Sequence, residues 1–176
     1  DIIISQNGKK RKADGTVAVK NADYILHDGI GYMTDSDVEI SSEERENKYE
    51  VINLGANYKD TTEKKNVFEI GIHHGVKPEN ASYAYTTVFG ADEKKMDGIV
   101  KNDTVKVLRN DDKVQAVYDS KNKITEAIVW KMDTIEIPSG LTVTANKKCA
   151  LIIKELENGA IEITASNPTN EPKDLQ

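Results

Sequence analysis

Apolar and polar residues alternate with a period of two along most of this chain, and short turn signals separate the alternating runs. Ile135 and Ile137 alternate with Thr134 and Glu136, Leu141, Val143 and Ala145 with Thr142 and Thr144, and Ile161, Ile163 and Ala165 with Glu162 and Thr164. That period sends every second side chain to one face of an extended strand. Val105 and Val107 do the same around Lys106. Residues 67–72, 114–118 and 124–130 are further strand candidates, rich in β-formers. Asn7-Gly8, Asp14-Gly15, Asp28-Gly29, Ser139-Gly140 and Asn158-Gly159 punctuate the runs. Asn158-Gly159 falls between residues 151–156 and 161–165, which predicts a hairpin with its turn residues in place. Regular short strands with such turns predict an all-β fold built as an antiparallel β-sandwich.

One segment reads as helical. Residues 91–97 precede Gly98 and carry acidic residues early and lysines late, as a helix dipole favours. At 3.6 residues per turn this is about two turns. It is expected to connect two β units, residues 1–92 and 93–176. The tail from Asn167 holds two prolines and is expected to be extended or frayed. Aromatics make up only 6% of the chain, so the core must come mostly from Ile, Val, Leu and Ala. Trp130 is the one tryptophan. It is expected to anchor the core of the second unit, because Trp is usually well buried.

Charge and cysteine content exclude several classes. Cys149 is the single cysteine, so there is no internal disulfide and no multi-cysteine zinc site. In the run Cys149-Ala150-Leu151-Ile152-Ile153 it reads as a small buried hydrophobe. No apolar run approaches the length of a membrane span. The opening Asp1-Ile2-Ile3-Ile4 has no basic start or cleavage site, so a signal peptide is expected upstream of Asp1 if the protein is secreted. The formal net charge of -6 argues against nucleic-acid binding. It also opposes a strong grip on an acidic polymer unless a local basic patch overrides it. Lys9-Lys10-Arg11-Lys12 is a candidate patch with two readings: a solvated loop between strands, or a contact for a uronate-bearing glycan.

Catalytic and metal-binding constellations are scarce. His73 and His74 are adjacent, and neighbours on a strand point to opposite faces, so they are not expected to chelate one ion. The expected arrangement is one packed histidine and one at the surface or in a turn. No third ligand stands at a zinc spacing. Asp35-Ser36-Asp37 and Asn110-Asp111-Asp112 lack the remainder of a calcium loop and read as turns. Gly29-Ile30-Gly31 lacks a dinucleotide-binding context, and there is no nucleophile elbow, phosphate loop or metalloprotease motif. No metal or cofactor is expected. Tyr83 and Tyr85 share one face of an expected strand that follows the turn at residues 75–80. Exposed aromatic rings can stack on the apolar face of a sugar, so this pair is a candidate carbohydrate contact beside Lys9, Lys10, Arg11 and Lys12.

An ordered series of motifs runs through the chain. Leu26-His27-Asp28-Gly29-Ile30-Gly31-Tyr32 comes first, then Tyr49-Glu50-Val51-Ile52-Asn53, then Phe68-Glu69-Ile70-Gly71-Ile72-His73-His74-Gly75 with Pro78, Asn80 and Tyr83-Ala84-Tyr85. Val105-Lys106-Val107-Leu108-Arg109-Asn110, Val114-Gln115-Ala116-Val117 and Asn167-Pro168-Thr169 follow. The set resembles polysaccharide lyase family 8, the hyaluronate, chondroitin AC and xanthan lyases. Tyr49 stands where the family usually has Trp, and Phe89-Gly90 stands where a Pro usually follows the strand. The resemblance implies the end of the family's central super-sandwich followed by its small C-terminal sandwich. In that family an α/α-toroid domain carries the catalytic Asn, His, Tyr and Arg. The reaction removes the C5 proton of a uronate and expels the 4-linked group, leaving an unsaturated sugar. No series of amphipathic helices is present here, so no catalytic residue carries over, and the chain alone is expected to be inactive. The implied partners are the toroid of the same protein and, through it, an acidic polysaccharide. The implied location is extracellular, with no nucleic acid or membrane involved. A stand-alone carbohydrate-binding or adhesion module is the alternative.

Overall fold

The computed structural model describes residues 1–48 and 62–169. The expected element around Tyr49 and Ile52, together with Tyr58 and residues 170–176 of the tail, lies outside the described residues. The chain divides into two compact units, Asp1–Met96 and Asp97–Gln176. Every described strand pairing is antiparallel.

The first unit contains β1 (Ile2–Gln6), β2 (Lys9–Ala13), β3 (Val17–Val19), β4 (Tyr24–His27) and β5 (Ile30–Met33). It continues with β6 (Val38–Lys48), β7 (Thr62–Ile72) and β8 (Thr86–Phe89). One sheet has the order β2-β1-β4-β5-β8 and the other β3-β6-β7. Ile2, Ile4, Val19, Ile25, Val38 and Ile40 form the buried core, with Tyr32, Phe68, Ile70 and Ile72 packed against it. The Asn7-Gly8 and Asp28-Gly29 turns close tight hairpins, with left-handed φ at all four residues as such turns require.

The second unit contains β9 (Val105–Asn110), β10 (Val114–Asp119), β11 (Ile124–Val129), β12 (Asp133–Glu136), β13 (Thr142–Ala145), β14 (Cys149–Glu155) and β15 (Ile161–Ser166). Its sheets are β15-β14-β11-β10-β9 and the pair β12-β13. The core is aliphatic, with Val114, Val129, Ile135, Ile137, Leu151 and Ile153 at its centre. Cys149 is buried among them, as its apolar neighbours imply. The predicted hairpin at Asn158-Gly159 is present, and Ile153 pairs with Ile163 across it.

Three local expectations need correction. The helix, α1 (Glu93–Asn102), is longer than residues 91–97 and runs through Gly98. Asp92 caps it, its carboxylate accepting the Lys95 amide at 2.7 Å. One helical glycine costs about 1 kcal/mol, too little to end the helix, which stops instead at Asp103 with φ 42°. Trp130 is not a core anchor. It is 44% exposed, and its indole N–H donates to Gln115 Oε1 at 2.5 Å. Residues 9–12 are not a loop but most of strand β2.

Candidate functional site

A groove lined by described residues lies in the first unit, between its two sheets. It has a volume of about 480 Å³. Ile25, Tyr32 and Met33 line it from β4 and β5, and Phe68, Ile70 and Ile72 from β7. The spacing of two along β7 explains why these three share that face. Phe68 stacks on His27 with ring centres 4.4 Å apart and meets Tyr32 at 5.7 Å. The groove is thus an open continuation of the first unit's apolar core.

The segment after β7 forms the rim. Left-handed φ values at Gly75, Lys77 and Asn80 (77°, 52° and 55°) bend the chain back. Residues 81–85 lie outside any ladder, so Tyr83 and Tyr85 precede β8 rather than lying on the expected strand. The two tyrosine rings are nearly parallel, 10° apart in tilt, with centres separated by 6.3 Å. They are 58% and 62% exposed. His74 sits beside Tyr83 with ring centres 5.8 Å apart. Thr34 holds the segment in place: its hydroxyl donates to the Ala84 carbonyl at 2.8 Å and accepts the Ser36 amide at 3.2 Å. A lone Thr after a strand carries no spacing signal, so nothing in the sequence marked this role.

His73 and His74 both lie beyond the end of β7, and both are exposed, so the expected packed histidine is absent. They do diverge as adjacent residues should. His73 Nε2 lies 3.7 Å from Glu39 Oε1, whereas His74 faces Tyr83. Among the described residues no group of three or more His, Cys, Asp or Glu could hold a metal ion.

The structure separates the two halves of the expected carbohydrate contact. β2 and β8 are the opposite edges of one five-stranded sheet, four inter-strand spacings or about 19 Å apart. Lys9, Lys10, Arg11 and Lys12 form an exposed edge strand. Two of the four charges are already paired: Lys12 Nζ lies 2.5 Å from Asp1 and Lys10 Nζ 3.1 Å from Glu93. Lysines on an edge strand also deter pairing with other chains.

The second unit holds the most strongly perturbed charges, and they are structural. Arg109 Nε donates to Asp111 at 2.6 Å, and Nη2 donates to Asp133 at 2.9 Å. The Arg109 guanidinium, helped by the Thr134 amide, holds the Asp133 carboxyl far below the usual carboxylate range. Asp111 is lowered by Arg109 and by the Val114 and Lys113 amides, which makes Asn110-Asp111-Asp112 the turn its sequence predicts.

Residues 1–99 match the model of the polysaccharide lyase family 8 super-sandwich domain, and residues 106–176 that of the family's C-terminal β-sandwich domain. The chain belongs to polysaccharide lyase family 8. Its two β units match the family's super-sandwich domain and its C-terminal β-sandwich domain, in that order. The chain is 28% identical over 172 residues to chondroitinase-AC of Pedobacter heparinus, covering 97% of this chain and 24% of that enzyme. It is 29% identical over 150 residues to hyaluronate lyase HylB of Enterococcus faecalis, covering 84% of this chain and 14% of the relative. A solved chondroitinase AC lyase, studied in complexes with oligosaccharides, superposes with a TM-score of 0.79 at 26% identity, over 94% of this chain and 25% of that one. The chain therefore spans about a quarter or less of the length of these lyases.

Proposed function

We propose that this chain is the non-catalytic C-terminal β region of a secreted lyase that cleaves a uronate-containing polysaccharide by β-elimination. In that role it buttresses a helical catalytic domain and helps wall the substrate cleft. The observation that carries the reading is the tiling of the two β units by the family's super-sandwich and C-terminal sandwich, in that order. β-Elimination needs a positioned proton acceptor and a group that neutralises the uronate carboxylate. In the described groove, His74 is flanked by tyrosines and aliphatic side chains, with no Lys or Arg beside it. The purified 176-residue chain should release no ultraviolet-absorbing unsaturated product from hyaluronan, chondroitin or xanthan. Robust product from this chain alone would overturn the proposal.

A second reading, a carbohydrate-binding module, is favoured by the exposed near-parallel pair Tyr83 and Tyr85 at the rim of the groove. In that reading the edge strand with Lys9, Lys10, Arg11 and Lys12 would be a separate contact for uronate carboxylates.

A further inference from the structure

Tyr83, Tyr85 and the groove behind them have a chemical character that narrows what sugar they can hold. Among the described residues, no lysine, arginine, aspartate or glutamate lines the groove. Its described walls are aliphatic and aromatic apart from Thr34 and His74, and its about 480 Å³ falls within the range of about 300–1,000 Å³ usual for small-ligand sites. Among the described residues a carboxylate placed here would meet no lysine or arginine, and desolvating it without such a partner is unfavourable. The chain's net charge of -6 adds long-range repulsion. The basic strand that could offset this is at the far edge of the sheet, with two of its charges already paired.

An uncharged pyranose fits these surroundings. Its axial C–H bonds form an apolar face that packs on an aromatic ring, while its hydroxyls remain free for solvent or for the phenol oxygens of Tyr83 and Tyr85. The ring pair is preset, because Thr34 ties Ala84 between the two tyrosines to the end of β5. We infer that Tyr83, Tyr85 and the adjoining groove form a docking site for the uncharged sugar units of a glycan and discriminate against its uronate units. This deepens the carbohydrate-binding reading of the tyrosine pair and rests on it.

The test is calorimetric titration of the 176-residue chain with two probes, a chitin tetrasaccharide carrying no charge and a polyglucuronate oligomer of similar length. The uncharged probe should bind saturably, and its affinity should change little between low and high salt, since no ion pair is formed. Tyr83→Ala and Tyr85→Ala should each remove that binding, while Tyr85→Phe retains it. Both tyrosines are more than half exposed, so circular dichroism should report an unchanged fold for each variant. Salt-sensitive binding of polyglucuronate alone, lost on changing Lys9 and Arg11 to alanine, would overturn the discrimination while leaving carbohydrate binding intact. If neither probe binds, the carbohydrate-binding reading itself is overturned.

Discussion

Gly31 lies at the centre of β5, and its lack of a side chain is a packing requirement. A Cβ built there would fall 2.2 Å from Met96 Sδ and 2.7 Å from Met96 Cε. Met96 is fully buried on α1, so the thioether must find another rotamer within a packed wall. Overpacking of this kind costs about 1–3 kcal/mol. Gly31→Ala should therefore lower stability by that amount in a urea titration. Shortening the neighbour should relieve it: the Gly31→Ala, Met96→Ala double variant should be destabilised by less than the sum of the single effects. Strict additivity would show that the Met96 contact is not what holds glycine at this position. Sequence motifs mark Gly31 as part of Gly-Ile-Gly-Tyr, but they do not name what it makes room for. That knowledge needs the helix, which lies 65 residues further on, since Met96 follows Gly31 by that distance in the numbering.

Strands β9 and β12 belong to different sheets of the second unit, and Arg109 links them. It bonds Asp111 in the β9–β10 turn, Asp133 on β12 and the Thr134 carbonyl at 3.1 Å. Lys113 Nζ adds a second cation 3.4 Å from Asp133. Because folding lowers the Asp133 and Asp111 pKa values, their contribution is complete above the ordinary carboxylate range, near pH 4. It fades as pH falls below that range toward the lowered values, since the unfolded chain then binds more protons than the folded one. Asp133→Asn should weaken the fold at pH 7 and flatten the acid limb. Between pH 6 and pH 3 the urea midpoint of the second unit should fall less in the variant than in the parent. Equal slopes would remove Asp133 from the acid response. The same elements show what alternation can and cannot reveal. Ile161, Ile163 and Ala165 share a face as their spacing predicts, and the register places Ile163 opposite Ile153, Ala165 opposite Leu151 and Ile161 opposite Glu155. Yet β15 is an edge strand and Ile163 remains half exposed, because periodicity specifies which way a side chain points and not whether a second layer reaches it. Residues 9–12 were hidden as a strand for the converse reason: a strand without apolar residues has no period to read, and β2 is held by its ladder to β1.

Two separate aliphatic cores support the whole molecule, one around Ile4, Ile25 and Ile40 and the other around Val114, Val129 and Ile153. The strands of the second core were legible in the sequence, because turn pairs and alternation act locally, whereas in the first unit only residues 67–72 of β7 were read as a strand and the rest showed only through their turns. The groove was not legible, because it depends on β7 facing β4 and β5, a long-range pairing that no local pattern encodes. Only its rim was visible, through Tyr83 and Tyr85. If each core is its own cooperative unit, truncating one should leave the protection of the other intact. Ile4 and Ile153 are both fully buried, so Ile4→Ala and Ile153→Ala should each cost about 2–5 kcal/mol in the unit that contains the change. Native-state hydrogen exchange resolves this by strand. In Ile4→Ala, amides of β1, β4 and β6 should exchange faster while those of β10, β11 and β14 hold their rates, and Ile153→Ala should give the reverse. A loss of protection spread evenly across both sets in either variant would mean that the two cores unfold as one, and that the limit at Met96 is a boundary of contacts but not of stability.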